Sequence, residues 1–288
     1  MTATTVASAR LRRPGRSRRA LPPSLIVGGV LVGLVILIAI VSFIWTPFPA
    51  TTTTSNRLLG PSGTHFFGTD ALGRDVFSQL LVGSRITLYV GVIAVGVGAL
   101  IGIPLGILAA TAPKAVREVI MRFIDLMLAF PALLLAIVFG GIFGASTLSA
   151  MIAIGLATVP AFARLSRSGA MQVMSTEYVL AARVSGRPLI AIAFRHILPN
   201  IGGLLIVQAS VSYGIAVLAE SGLSYLGFGT PPPTPSWGRM LQEAQPLLFS
   251  NPLLVVWPAA AIAIAVLGFN LLGDGLRDRF DPKLEDRR

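Results

Sequence analysis

Long, unbroken apolar runs alternate along this chain with short connections that carry most of its arginines. The runs are Leu25 to Trp45, Ile86 to Ala110, Ile120 to Gly144, Thr147 to Ala163, Ile201 to Ala219 and Pro252 to Leu272. A helix rising 1.5 Å per residue needs about 20 apolar residues to cross a bilayer core. A closed barrel would instead show segments of about ten residues with alternating polarity. The runs are continuous, so the pattern predicts an all-α integral membrane protein with six transmembrane helices. It divides the chain into a basic tail (1–24), a first helix (25–45), an external segment (46–85), a five-helix core (86–273) and a second tail (274–288). Two long connections interrupt the core, at 165–200 and 221–251. The second holds Pro231, Pro232, Pro233 and Pro235, which predict a stiff, extended surface loop.

Charge sets the orientation. With the N-terminus in the cytoplasm, nineteen basic residues lie inside and four outside. Inside are Arg10, Arg12, Arg13, Arg16, Arg18 and Arg19 in the first tail, then Lys114, Arg117 and Arg122. Arg164, Arg167, Arg183, Arg187 and Arg195 follow, and Arg277, Arg279, Lys283, Arg287 and Arg288 end the chain. Outside are only Arg57, Arg74, Arg85 and Arg239. The positive-inside rule therefore places both termini in the cytoplasm of a cell-membrane protein. The basic tail and first apolar run resemble a signal peptide, but the run is too long and no A-x-A site follows. A retained helix is expected.

Composition narrows the chemistry. Hydrophobic residues make up 54% of the chain and charged residues 12%, half the usual share of about 25%. The formal net charge of +11 sits in the loops, against lipid rather than nucleic acid. There is no cysteine, and His65 and His196 are the only histidines, which excludes disulfides and thiolate sites and leaves no His-rich metal site. No phosphate-binding G-x-x-x-x-G-K-[ST] loop occurs, so ATP hydrolysis cannot be this chain's own work. No nucleophile–base pair stands out either, and a membrane enzyme is the most distant reading.

Within the runs, Ala94, Gly98, Gly102, Gly106 and Ala110 recur every fourth residue. Such a stripe lets a second helix approach closely, either for packing or around a pathway. Pro104, Pro131, Pro160 and Pro258 are potential kinks. No ionisable residue lies at the centre of a run; Arg122, Asp125 and Arg164 sit near cytoplasmic ends where side chains can snorkel. An ion- or proton-coupled transporter, the main alternative to an ATP-driven one, normally needs a buried carboxylate there.

The inner connection reads Ser175-Thr176-Glu177-Tyr178-Val179-Leu180-Ala181-Ala182-Arg183-Val184-Ser185-Gly186. Ser175 or Thr176 is placed to cap a short helix with Glu177 in its first turn, and Gly186 to end it in the left-handed conformation. After Pro188, Leu189 to Leu198 predicts a second helix before Pro199. From composition alone, an amphipathic hairpin lying on the membrane surface is the favoured reading.

Ala181-Ala182-x-x-x-Gly186 with His196-Ile197-Leu198-Pro199 resembles the coupling loop of ATP-binding-cassette importer permeases, although Leu180 stands where that loop carries Glu and His196 where it carries Ile. Three more stretches are similar to the peptide and nickel branch. They are Gly68-Thr69-Asp70-Ala71-Leu72-Gly73-Arg74-Asp75, Glu220 to Gly229 followed by Pro235-Ser236-Trp237-Gly238, and Phe269 to Asp278 with Asp281-Pro282. The resemblance covers about residues 60 to 284 and implies a C-type permease subunit importing di- or oligopeptides, with nickel chelates, haem or glycopeptides as other solutes. It implies as partners a second, B-type permease, two ATPase subunits that bind the ATP, and an extracytoplasmic solute-binding protein. Glu177, Ala181, Ala182, Gly186, His196, Leu198 and Pro199 would then meet the ATPase. Asp70, Arg74 and Asp75 would form a salt-bridged external turn or bind a solute terminus. Trp237 would anchor at the membrane interface or touch the binding protein, and Asn270 and Asp274 would terminate the last helix. His196 is expected to pack at a helix end.

Overall fold

The computed structural model describes residues 21–280 except Ala145. The arginines of the first tail, Asp281-Pro282, Lys283, Arg287 and Arg288 lie outside the described residues. Five helices are long and apolar enough to cross a membrane. They are α1 (Pro23–Ile44), α2 (Val76–Thr111), α5 (Thr147–Met174), α8 (Leu198–Tyr225) and α10 (Leu253–Phe280). The predicted third span is two helices, α3 (Lys114–Ala129) and α4 (Ala132–Phe143), which meet at an angle of 85°. Pro131 is the cause: it has no N–H to give, and it holds Phe130 in an extended conformation. Short helices α6 (Glu177–Val184), α7 (Leu189–Ile192) and α9 (Trp237–Ala244) complete the chain.

Several predicted bounds move because polar residues extend the helices beyond the apolar runs. Helix α2 starts ten residues earlier than the apolar run does, inside the segment expected to be external loop. Asp75 caps it there, its carboxylate accepting from the Ser78 N–H at 2.7 Å. Helix α5 continues to Met174, so Arg164 and Arg167 are helical. Its outer end carries a reciprocal cap, with Ser146 and Ser149 each bonding the other's backbone N–H. Helix α10 runs to Phe280, so Asn270 and Asp274 do not end it. Pro199 does not interrupt the chain either. A π-helical turn over Ala193–Ile197 carries α7 directly into α8. The Pro-rich segment is non-helical as expected, but the external loop also holds α9.

The small-residue stripe packs α2 on α5. A Cβ on Gly98 would sit 2.0 Å from the Thr158 hydroxyl, one on Gly102 2.6 Å from the Val159 carbonyl, and one on Gly106 2.3 Å from the Ala163 carbonyl. Ala94 is fully buried in the same seam, and Ala110 packs beside Ile107 at its inner end. The stripe therefore serves contact within the chain and does not face a pathway. Without a hydrophobic force between helices in lipid, such close backbone approach is a principal source of adhesion. Helix α1 lies on α10 in the same manner: Gly28 meets Leu272, and Gly275 meets Leu25. Leu100, Val92, Ile44 and Val30 remain exposed on the outside of this bundle, as lipid-facing positions should.

Candidate functional site

At the end of the bundle that the loop charges predict to be cytoplasmic, the connection between α5 and α8 folds as two short helices. Thr176 begins α6, but its hydroxyl donates back to the Val173 carbonyl at 2.6 Å and accepts no N–H from α6. Glu177 occupies the first turn, where a carboxylate favours the helix dipole. At the far end Gly186 has φ +75°, the Gly186 N–H donates to Arg183 O at 2.9 Å, and the Arg187 N–H donates to Ala182 O at 3.2 Å. These two bonds make a Schellman cap, which requires the left-handed residue that glycine supplies.

One side of this loop is locked to the bundle. Val179, Ile192 and Ile197 are fully buried against Ile107, Ala170 and Met174 from the inner ends of α2 and α5. The other side is bare. Leu180 and Val184 share one face of α6, and Ile190 and Phe194 share one face of the next helix; Val184 is 89% exposed, Ile190 73% and Phe194 70%. Exposed apolar clusters of this kind mark interaction surfaces. Of the residues singled out from sequence, Ala181, Gly186 and Glu177 lie on the exposed side, while Ala182 and Leu198 are half-buried. Pro199 is exposed in the first turn of α8. His196 is half-buried 5.8 Å from the ring of Tyr178, whose hydroxyl accepts from Asn200 at 3.1 Å. Val184, Ile190 and Phe194 are the residues that sequence reasoning misses here; large apolar side chains in an arginine-bearing loop are the signal.

At the opposite end, predicted to be external, Gly68 and Gly73 both take positive φ and turn the segment before α2. Thr69 is buried, its hydroxyl donating to Asn56 O at 2.7 Å. Asp70 accepts from the backbone N–H groups of Leu72 and Arg74, from Arg74 Nε at 2.6 Å, and from Gln79 at 2.8 Å. Asp75 also accepts Ser78 Oγ at 2.8 Å and contacts His65 Nδ1 at 2.9 Å. Arg74 bridges further, to Glu243 on α9, which Arg239 also pairs at 3.0 Å. Burial disfavours the Arg74 cation, but the carboxylates of Asp70 and Glu243 outweigh it and hold its pKa above the ordinary arginine value. Asp70, Arg74, Glu243 and Arg239 thus form one salt-bridged network, with Asp75 held beside it by Ser78 and His65. A cavity of about 270 Å³ lies beneath it, between Asp70, Arg74, Gln79, Met240 and Leu254.

Trp237 is neither an interface anchor nor a docking residue. It is buried, its indole sits on Gly83 where a Cβ would lie 2.7 Å away, and its Nε1 donates to Leu80 O at 3.0 Å. Glu220 is a buried acid near the end of α8, away from the centre of any span. It is fully enclosed one residue beyond the predicted fifth span, still within α8, and accepts from Ser224 at 2.6 Å and Thr230 at 3.2 Å. Among the described residues no cation pairs with it; hydroxyl donors satisfy it instead.

Residues 102–286 match the profile of the family described as binding-protein-dependent transport system inner membrane component. The chain is 42% identical over 261 residues to the dipeptide transport system permease protein DppC of Alkalihalophilus pseudofirmus, covering 90% of this chain and 86% of that one. It is 41% identical over 229 residues to the di/tripeptide permease DppC of Pseudomonas aeruginosa, covering 80% and 76%. It is 42% identical over 226 residues to the glutathione permease GsiD of Pectobacterium atrosepticum, covering 78% and 75%. An inward-facing structure of the MetNI methionine ABC transporter superposes with a TM-score of 0.59 at 18% identity, covering 70% of this chain and 96% of its counterpart. That likeness is one of fold, and it joins the sequence matches and the apolar helices in a single assignment: this chain is a multi-pass membrane protein that belongs to the inner membrane components of binding-protein-dependent transport systems.

Proposed function

We propose that this chain is one of two permease subunits of an ATP-driven importer of di- or oligopeptides, and that the α6–α7 loop receives the motion of an ATPase subunit. Peptide is the solute class in the names of the relatives described above, which specify dipeptides, di- and tripeptides, and glutathione. The family's description supports a solute-binding protein as one partner; a second permease beside this chain and ATPases below that hold the nucleotide complete the proposed assembly. Both termini are cytoplasmic in this reading, as the loop charges favour.

The observation that carries it is the two-sided loop. Val179, Ile192 and Ile197 bind it rigidly to α2 and α5, while Leu180, Val184, Ile190 and Phe194 stand uncovered. A push on the bare side is delivered to the inner ends of two spanning helices, and α7 continues without interruption into a third. A rigid lever of this kind converts ATPase closure into rocking of the bundle.

The test is co-purification. Val184→Asp with Phe194→Asp puts two charges on the bare side and touches no buried contact. Membrane abundance should stay normal, while ATPase subunits no longer co-purify and dipeptide uptake is lost. Retained ATPase binding and uptake would remove the loop from the coupling role.

A further inference from the structure

Helix α3 has three sides. Ile124 is fully buried and, with the half-buried Ile120, faces the bundle. Val116, Val119, Phe123 and Leu126, at helical spacing, form a second side that is exposed and wholly apolar. Lys114, Glu118, Arg122 and Asp125 form a third side that is also exposed and carries charge at each of these four positions. On this third side Asp125 receives Arg164 of α5 at 2.6 Å, with both side chains more than half exposed, and Lys114 lies 3.9 Å from Glu118.

The depth of the pair matters. Gly106 packs on Ala163 and Arg167, and α2 continues from Gly106 to Thr111 before the chain turns at Pro113. Arg164 therefore sits about 7–8 Å inside that corner. An arginine there can snorkel to the headgroups, but an aspartate has too short a stem to follow it. Lipid is thus a costly surrounding for the pair. A dry contact with another subunit is costly too, because five charged side chains would have to be desolvated together. Ionisable residues within spanning helices characteristically pair with one another or face a water-filled cavity, and they mark solute routes. The apolar side of the same helix is what lipid requires, so the boundary between lipid and water runs along α3.

We propose that the charged strip of α3, closed by the Asp125–Arg164 pair, lines the water-filled inner half of the translocation pathway. There it meets the ammonium and carboxylate ends of a zwitterionic peptide. The proposal rests on the importer reading above. It offers both signs of charge along one face, which a solute carrying both signs can pass without leaving either uncompensated.

The chain has no cysteine, which makes single-cysteine labelling clean. Ala129 and Ala161 are exposed one turn from Asp125 and Arg164 on the strip, while Val119 and Leu126 are exposed on the apolar side. Each is changed to Cys in the assembled importer in inside-out vesicles, and a cationic thiosulfonate is added with and without ATP. The strip positions should react roughly tenfold faster than the apolar pair in at least one nucleotide state. No reaction at Ala129→Cys and Ala161→Cys in either state, or rates equal to those of Val119→Cys and Leu126→Cys, would overturn the assignment. For the solute contact, Asp125→Arg and Arg164→Asp should each lose dipeptide uptake at unchanged abundance, and the double swap should recover it. Full uptake in both single variants would refute that contact. Labelling reads water whatever the solute, so a labelled strip in an importer that takes up no dipeptide would sink the peptide reading and leave the pathway assignment standing.

Discussion

Replacing Gly186 separates backbone strain from steric fit at the coupling loop. A Cβ built on Gly186 meets nothing within 4 Å, so no substitution there clashes within this chain. What remains is the φ of +75°, which the Schellman cap demands. An L-residue in the left-handed region costs about 1–2 kcal/mol, less for asparagine and more for a β-branched side chain. A penalty of that size lowers the population of the capped loop roughly 5- to 30-fold relative to its uncapped forms. The buried contacts of Val179, Ile192 and Ile197 lie elsewhere, so the bundle and its membrane abundance should be unaffected. The series Gly186→Asn, Gly186→Ala and Gly186→Val should therefore lose peptide-stimulated ATPase activity and uptake in that order, at matched protein levels. If fit into an ATPase cleft governs instead, asparagine and valine, of similar size, will fail equally and alanine will be mildest. Wild-type uptake in Gly186→Val would refute the argument altogether, since the cap would then have no bearing on coupling.

Three other outcomes are expected. Gly102→Leu should sharply lower membrane abundance in an immunoblot, because its Cβ would press within 2.6 Å of the Val159 carbonyl and 2.7 Å of Phe162; Gly29→Leu, with nothing within 4 Å, is the control. Glu220→Leu strands the buried hydroxyls of Ser224 and Thr230 and should destabilise the solubilised protein by about 1–3 kcal/mol in thermal melts, with Glu220→Gln milder; no change in melting would mean the network carries no weight. A cysteine at exposed Ser62 should react with an impermeant reagent in whole cells and one at exposed Ser185 should not; the reverse would invert the topology.

What the sequence makes legible follows from where each constraint originates. Lipid demands unbroken apolar runs, so the spans are visible wherever lipid is the neighbour. Gly186 is visible because its left-handed cap is set by the few residues before it. The helix ends are less so: α2 begins at Asp75 and α5 runs on through Arg164 because protein and water, not lipid, surround those turns. The external cap is hidden for a different reason. Arg74 finds Glu243 across 169 positions, the Trp237 indole finds the Leu80 carbonyl across 157, and Glu220 collects Thr230 only after the turn that ends α8 folds back. No local period records such pairings, since each partner is an ordinary polar residue until the chain brings the other to it. All three nonetheless bear on one object. Arg74 and the Leu80 carbonyl hold α9 to the outer end of α2, and Glu220 holds the segment that leads into α9 to the outer end of α8. A helix of eight residues cannot persist alone in water, so these distant polar contacts are what make α9 part of the protein. They tie the outer ends of the same two helices, α2 and α8, whose inner ends the α6–α7 loop engages.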